Sequence, residues 1–280
     1  MKAFRSALCL LGVLVALPAT AAPKNIILSD SLLANADKWN VNQGAQWMGK
    51  THKWRFGEYA VVASKQGWTT TDTHSDLFKT KTESKTADKF SFVLSSKTND
   101  SAFVNAAHEI TSRSNPGLKL GNGWTAGGDG RTREADRFMA SIMLNGDTTA
   151  AWGLTIGQTD VTDRHGDSVE GEATHSATLT SGERRIVLTP VFSKKLDERP
   201  SFNSMLAMSI HPPAMGYEFV ENGRSLCAVE YFSSGLAGSA KNTVWMDRTL
   251  DPRLRLVLAA AMTAVLQLQS AVAAASAKPE

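Results

Sequence analysis

From Leu256 to Ala277 the chain carries no charged residue, and this run, LVLAAAMTAVLQLQSAVAAASA, follows segments that read as β-hairpins. A helix that is apolar on nearly every side has to be hidden, either inside the protein or inside a bilayer. Its start has a mechanism. Asp251 offers an N-capping carboxylate and Pro252 fills the first helical position, so a helix is expected over about 252–275. Thr263, Gln267 and Ser270 share one face, Leu254, Leu258, Val265 and Val272 lie on or near the other side, and alanines fill the rest. Arg253 and Arg255, both in the first turn, are its only charges. Packed on the outside of a sheet, such a helix would show a charged outer face, which this one lacks. Across a bilayer it would carry an aromatic belt or a basic stop signal, also lacking here. Enclosed by a curved sheet, its alanines let strands approach and its few polar groups bond internally. The enclosed setting is preferred.

The hairpins can be read from their turns. Phe138 to Leu144 and Thr148 to Ile156 flank Asn145-Gly146, and Tyr217 to Glu221 and Arg224 to Phe232 flank Asn222-Gly223. Asn-Gly accepts the two positive φ angles of a type I′ turn. Ser181-Gly182 divides His175, Ala177 and Leu179 from Ile186 to Phe192. Phe90, Phe92 and Leu94 alternate with polar residues, and Ala102 to Ile110 returns after a polar turn at Lys97–Asp100. Trp54 to Ala63 reads as a strand or a bent pair around Gly57. The expected fold is therefore mainly β: an antiparallel barrel or closed sandwich of many hairpins, with a hydrophobic C-terminal helix packed in or against it.

The other end of the chain reads as an export signal. Lys2 and Arg5 precede an apolar core from Ala7 to Leu17, and Ala19-Thr20-Ala21 supplies a small-x-small cleavage site. That pattern predicts a bacterial-type signal peptide over 1–21 and a periplasmic or secreted protein. Residues 22–280 then form a single mainly-β domain. Removing Lys2 and Arg5 leaves the charge near neutral, so no global field draws nucleic acid or anionic lipid. Cys227 alone survives processing, which leaves no intramolecular disulfide. In the run SLCAVEY it reads as a small buried apolar residue.

The segment Asn242-Thr-Val-Trp-Met-Asp247 looks like a last strand, and the apolar helix opens with Leu250-Asp-Pro-Arg-Leu-Arg-Leu-Val-Leu-Ala-Ala-Ala261. A strand followed by a C-terminal helix threaded through a barrel resembles the tubby-like superfamily, which includes the LURP-one-related proteins and the phospholipid scramblases. The resemblance covers about 35 residues. It implies a closed barrel of many antiparallel strands; some members bind membrane phosphoinositides. No basic cluster here matches a lipid headgroup site, so the resemblance carries over the fold and no binding residues.

Candidate sites compete with plainer readings. Asp160, Asp163, Asp167, Glu170 and Glu172, with His165 among them, offer the oxygen ligands that Ca²⁺ takes, but without EF-hand spacing, so a solvated loop is preferred. Gly121 to Gly130 is glycine-rich without the Lys-Ser/Thr ending of a P-loop. Arg131, Arg133 and Arg137 follow it with Glu134 and Asp136 interleaved, which argues for a flexible loop. Trp39, Trp47, Trp54, Tyr59 and Trp68 suit either sugar stacking or a core, and the core is preferred. No zinc pattern and no nucleophile elbow occurs. The function expected is an exported, non-catalytic binding or envelope-associated protein, with no cofactor and no nucleic-acid partner; a lipid or envelope surface is a better partner than carbohydrate. An enzyme of unrecognised class is the second reading, and it requires a cleft where His165 or His108 meets carboxylates with perturbed pKa values. A membrane-anchored envelope protein is the third.

Overall fold

A computed structural model describes residues 26–44, 53–76, 80–119, 125–145, 147–163, 165, 169, 174–192, 214–231 and 242–276. A short helix α1 (Asp30–Asn35) leads into β1 (Ala36–Asn40), β2 (Asn42–Gln43), β3 (Trp54–Phe56), β4 (Tyr59–Gln66) and β5 (Thr70–Ser75). Two long strands follow, β6 (Thr82–Ser95) and β7 (Ser101–Ser114), then the small pair β8 (Leu118–Lys119) and β9 (Thr125–Ala126). The chain continues through β10 (Thr132–Leu144), β11 (Asp147–Thr162), β12 (Thr174–Ser181), β13 (Arg184–Val191), β14 (Gly216–Glu221), β15 (Arg224–Glu230) and β16 (Thr243–Asp247). It finishes in α2 (Pro252–Ser276).

The turns form for the reasons their residues suggest. Asn145 (φ 49°), Asn222 (φ 50°) and Gly223 (φ 78°) hold the positive φ angles that close the β10–β11 and β14–β15 hairpins. Gly57 (φ 52°) reverses β3 into β4, and a Cβ there would strike the Trp39 ring at 2.7 Å.

Apart from β8 and β9, every strand joins one antiparallel sheet, ordered β1-β16-β15-β14-β13-β12-β11-β10-β7-β6-β4-β3-β2, with β5 beside β6. The two ends of this order are consecutive in sequence. β1 pairs with β16, β2 pairs with β3, and between them the Val41 N–H donates to the Asn242 carbonyl at 2.8 Å. Residues 36–43 are thus the seam at which the sheet is nearly closed into a barrel.

The helix α2 is the barrel's filling. Every residue from Leu256 to Leu268 is buried, and a stretch spanning more than three turns leaves no face open. It packs with inward side chains from strands on different sides of the barrel, among them Phe56, Phe92, Phe138 and Val229. Asp251 caps it, its Oδ1 accepting the Leu254 N–H at 2.9 Å. The polar stripe is satisfied internally. Thr263 Oγ1 donates to the Ala259 carbonyl at 2.8 Å, Trp54 Nε1 donates to Gln267 Oε1 at 3.1 Å, and Gln43 Nε2 donates to Ser270 Oγ at 3.4 Å. By length and composition Pro252–Val272 could cross a membrane, but most of it is enclosed by protein.

A second, smaller apolar cluster lies outside the barrel wall. Ile26, Leu28, Leu32 and Ala36 pack on Ala228 and Trp245, so β15 and β16 are covered on both faces. Cys227, between Leu226 and Ala228 in β15, belongs instead to the main core with α2, and its burial there pushes the thiol well up by desolvation.

Candidate functional site

Four strands outrun the core. Inward side chains are buried along Phe90–Leu94, Ala102–His108, Phe138–Leu144 and Leu154–Ile156, and beyond those rows β6, β7, β10 and β11 continue with partly or fully exposed side chains on both faces, apart from the buried Val161. Unbroken register between these strands holds the alternation of faces. Charge separates along it. Over residues 82–91, 105–114, 132–141 and 153–162 the outer face carries Lys85, Lys89, Arg113, Arg133 and Arg137 against only Glu83 and Glu109. The inner face carries Asp88, Glu134, Asp136 and Asp160 with one histidine and no Lys or Arg. Both outer carboxylates are engaged, Glu109 by Lys85 at 2.9 Å and Glu83 by Arg113 at 2.9 Å. Among the described residues Lys65 and Lys89 have no carboxylate partner, and Arg137, across from Glu109, shares that carboxylate with Lys85, which leaves the outer face cationic.

The interleaving of Arg133 and Arg137 with Glu134 and Asp136 therefore means the opposite of what a loop would make of it. In a strand, neighbours in sequence point to opposite faces, so alternating signs along the chain become one sign per face. Where a flexible loop was expected, a strand begins at Thr132, and Arg133, Glu134, Asp136 and Arg137 all lie in β10.

Above this cationic zone the outer face forms a shallow groove of about 660 Å³ crossing β4, β6, β7, β10 and β11. Cross-strand register places Lys65, Ser91, Asn105, Ser141 and Gly153 in one row of its floor. Lys89, Ala107, Met139 and Thr155 form the next. At its rim the Gly67 N–H donates to the Lys89 carbonyl at 2.7 Å, and the following Trp68 is 93 % exposed. Of the five clustered aromatics, Trp54 and Tyr59 are core, Trp39 is half-buried against Phe56 and Tyr59, and Trp47 lies outside the described residues. Trp68 alone of the described four stands free of the core.

The inner face holds the second constellation. His108 Nε2 lies 2.7 Å from Asp136 Oδ1, and its Nδ1 lies 3.7 Å from Asp88 Oδ2. Burial alone would lower the imidazole pKa, but the hydrogen bonds to the two carboxylates outweigh it and raise it to about 9. Nearby, His175 stacks on Tyr217 with centroids 6.1 Å apart, and desolvation raises the Tyr217 phenol to about 12. His108 thus meets carboxylates, as the enzyme reading required, yet it keeps its proton through neutral pH. A general base needs the opposite state. The arrangement suits a fixed charge tying β6 to β10.

The acidic segment does not assemble in what can be described. Asp160 accepts from Gln158 Nε2 at 2.6 Å, and Asp163 accepts the His165 N–H at 2.8 Å in a local turn. Asp167, Glu170 and Glu172 lie outside the described residues, and among those described no group of three or more His, Cys, Asp or Glu is placed to hold a metal ion. Set beside known proteins, the chain matches no family model, no curated protein and no solved structure.

Proposed function

We propose that this is an exported, non-catalytic binding protein that engages an anionic component of the cell envelope through the cationic outer face of β6, β7, β10 and β11. The observation that carries the reading is the division of charge across one sheet. A near-neutral chain has no need to gather its cations on one surface, and a surface of one sign attracts the opposite sign over about a Debye length, roughly 8 Å at physiological ionic strength. The inner carboxylates complement the reading, because they keep the same partner off the barrel end. Export is proposed from the signal-like N-terminus, and the tubby-like plan from the last strand and the helix. What supports the plan is a C-terminal helix buried on every face by a nearly closed sheet.

The test is retention on a sulfonate resin of the exported form and of a triple reversal, Lys65→Glu, Lys89→Glu and Arg137→Glu. The wild type is expected to bind at low salt and elute as ionic strength rises, while the reversal flows through with an unchanged circular dichroism spectrum. Equal retention of the folded reversal would refute the proposal.

A further inference from the structure

The groove next to the cationic zone has a chemistry of its own. A surface for a flat bilayer would be level or convex and dotted with apolar side chains; this one is concave, and its floor mixes the hydrogen-bonding Ser91, Asn105, Ser141 and Thr155 with Ala107 and the half-exposed Met139. Ser91, Asn105 and Ser141 stand in one cross-strand row, with Thr155 in the next, and such rows repeat at the inter-strand distance of about 4.8 Å. Gly153 ends the first row and keeps the floor low. At the β4 and β6 end, Lys65, Gly67 and Lys89 line the groove, and Trp68, next in the chain after Gly67, stands almost wholly in water. A free indole exposes a large apolar face that packing would otherwise bury. Beside hydroxyl and amide groups and two unpaired cations, its natural complement is a ring with an apolar face, polar edges and a negative charge.

We infer that the groove seats an acidic glycan. A sugar ring stacks on Trp68, ring hydroxyls exchange hydrogen bonds with Ser91, Asn105, Ser141 and Thr155, and a carboxylate meets Lys65 and Lys89. The inference rests on the proposed anionic partner and names its chemical class. It places carbohydrate ahead of a lipid surface, reversing the order that the sequence favoured.

The probes are polygalacturonate, polyglutamate as a polyanion without sugar, and vesicles of equal phosphatidylglycerol and phosphatidylcholine. Each is titrated calorimetrically into the exported form, into Trp68→Ala and into Gly153→Phe. Both substitutions spare the fold: Trp68 supports no core contact, and a Cβ on Gly153 meets only Thr180 Oγ1, at 3.7 Å. Polygalacturonate is expected to bind more tightly than the other two probes, and each variant to weaken it by at least about tenfold, as removal of a binding hot spot does. Binding of polygalacturonate that neither variant weakens overturns the groove as its seat. If polyglutamate or the vesicles bind as tightly as polygalacturonate, the glycan is wrong while the anionic partner stands. If none of the three binds, both readings fall.

Discussion

His108 is the residue whose surroundings make the sharpest prediction. Its ordinary pKa near 6.5 is raised to about 9 by Asp136 and Asp88 acting against burial, so the folded protein holds a proton that the unfolded chain releases earlier. The linked stabilisation is complete below pH 6.5 and is lost as pH climbs through about 9. A rise of that size corresponds to about 3 kcal/mol at most, and solvent screening at the half-exposed Asp136 reduces the expected effect to about 1–2 kcal/mol. Urea midpoints measured from pH 6 to pH 10 check this. The wild type should lose more stability across that window than Asp136→Asn, and parallel curves would show that the ion pair contributes nothing.

At the scale of the element, α2 decides what neighbouring strands can be. Ala259, Ala260, Ala261 and Ala264 are fully buried, and their small side chains set how closely the wall approaches the helix. Ala260→Leu adds three carbons where no space exists, and overpacking of this kind costs about 1–3 kcal/mol. Loss of the cap in Asp251→Ala should cost about 1 kcal/mol. Thermal melts of the two variants should therefore rank Ala260→Leu at least as low as Asp251→Ala. The reverse order would mean that the helix has slack around it. Elements such as this helix and the Asn-Gly hairpins were legible because their signals are local: a cap, a proline, a dipeptide needing positive φ. The lengths of β6 and β7 were not, because their outer halves, such as Thr82–Lys89, bury nothing and show no apolar alternation. Nor was the binding face, since the meaning of Arg133, Glu134, Asp136 and Arg137 depends on knowing that they lie in a strand. The seam at Val41 was equally hidden, because nothing local tells Ala36–Asn40 that its partner is Thr243–Asp247.

For the whole molecule, the barrel and the helix are one structure. The wall's inward residues, from Phe56 to Met246, have the helix as their common neighbour. A chain ending at Leu250 would leave that apolar lining facing a void too large to collapse. It is expected to aggregate, while the full-length protein is recovered soluble; fractionation with an alkaline carbonate wash distinguishes the two. A soluble, folded truncation beside a membrane-bound full-length chain would mean instead that the helix is an anchor.

The order of parts along the chain gives this core a timetable. The strands leave the ribosome first, and the piece that fills them leaves last, with the seam strand near one end waiting for β16 near the other. An intermediate built on the native core has to wait until α2 has been made. On the proposed export route, in which the chain would thread a translocation channel extended, late arrival of the core would act as a built-in delay on folding.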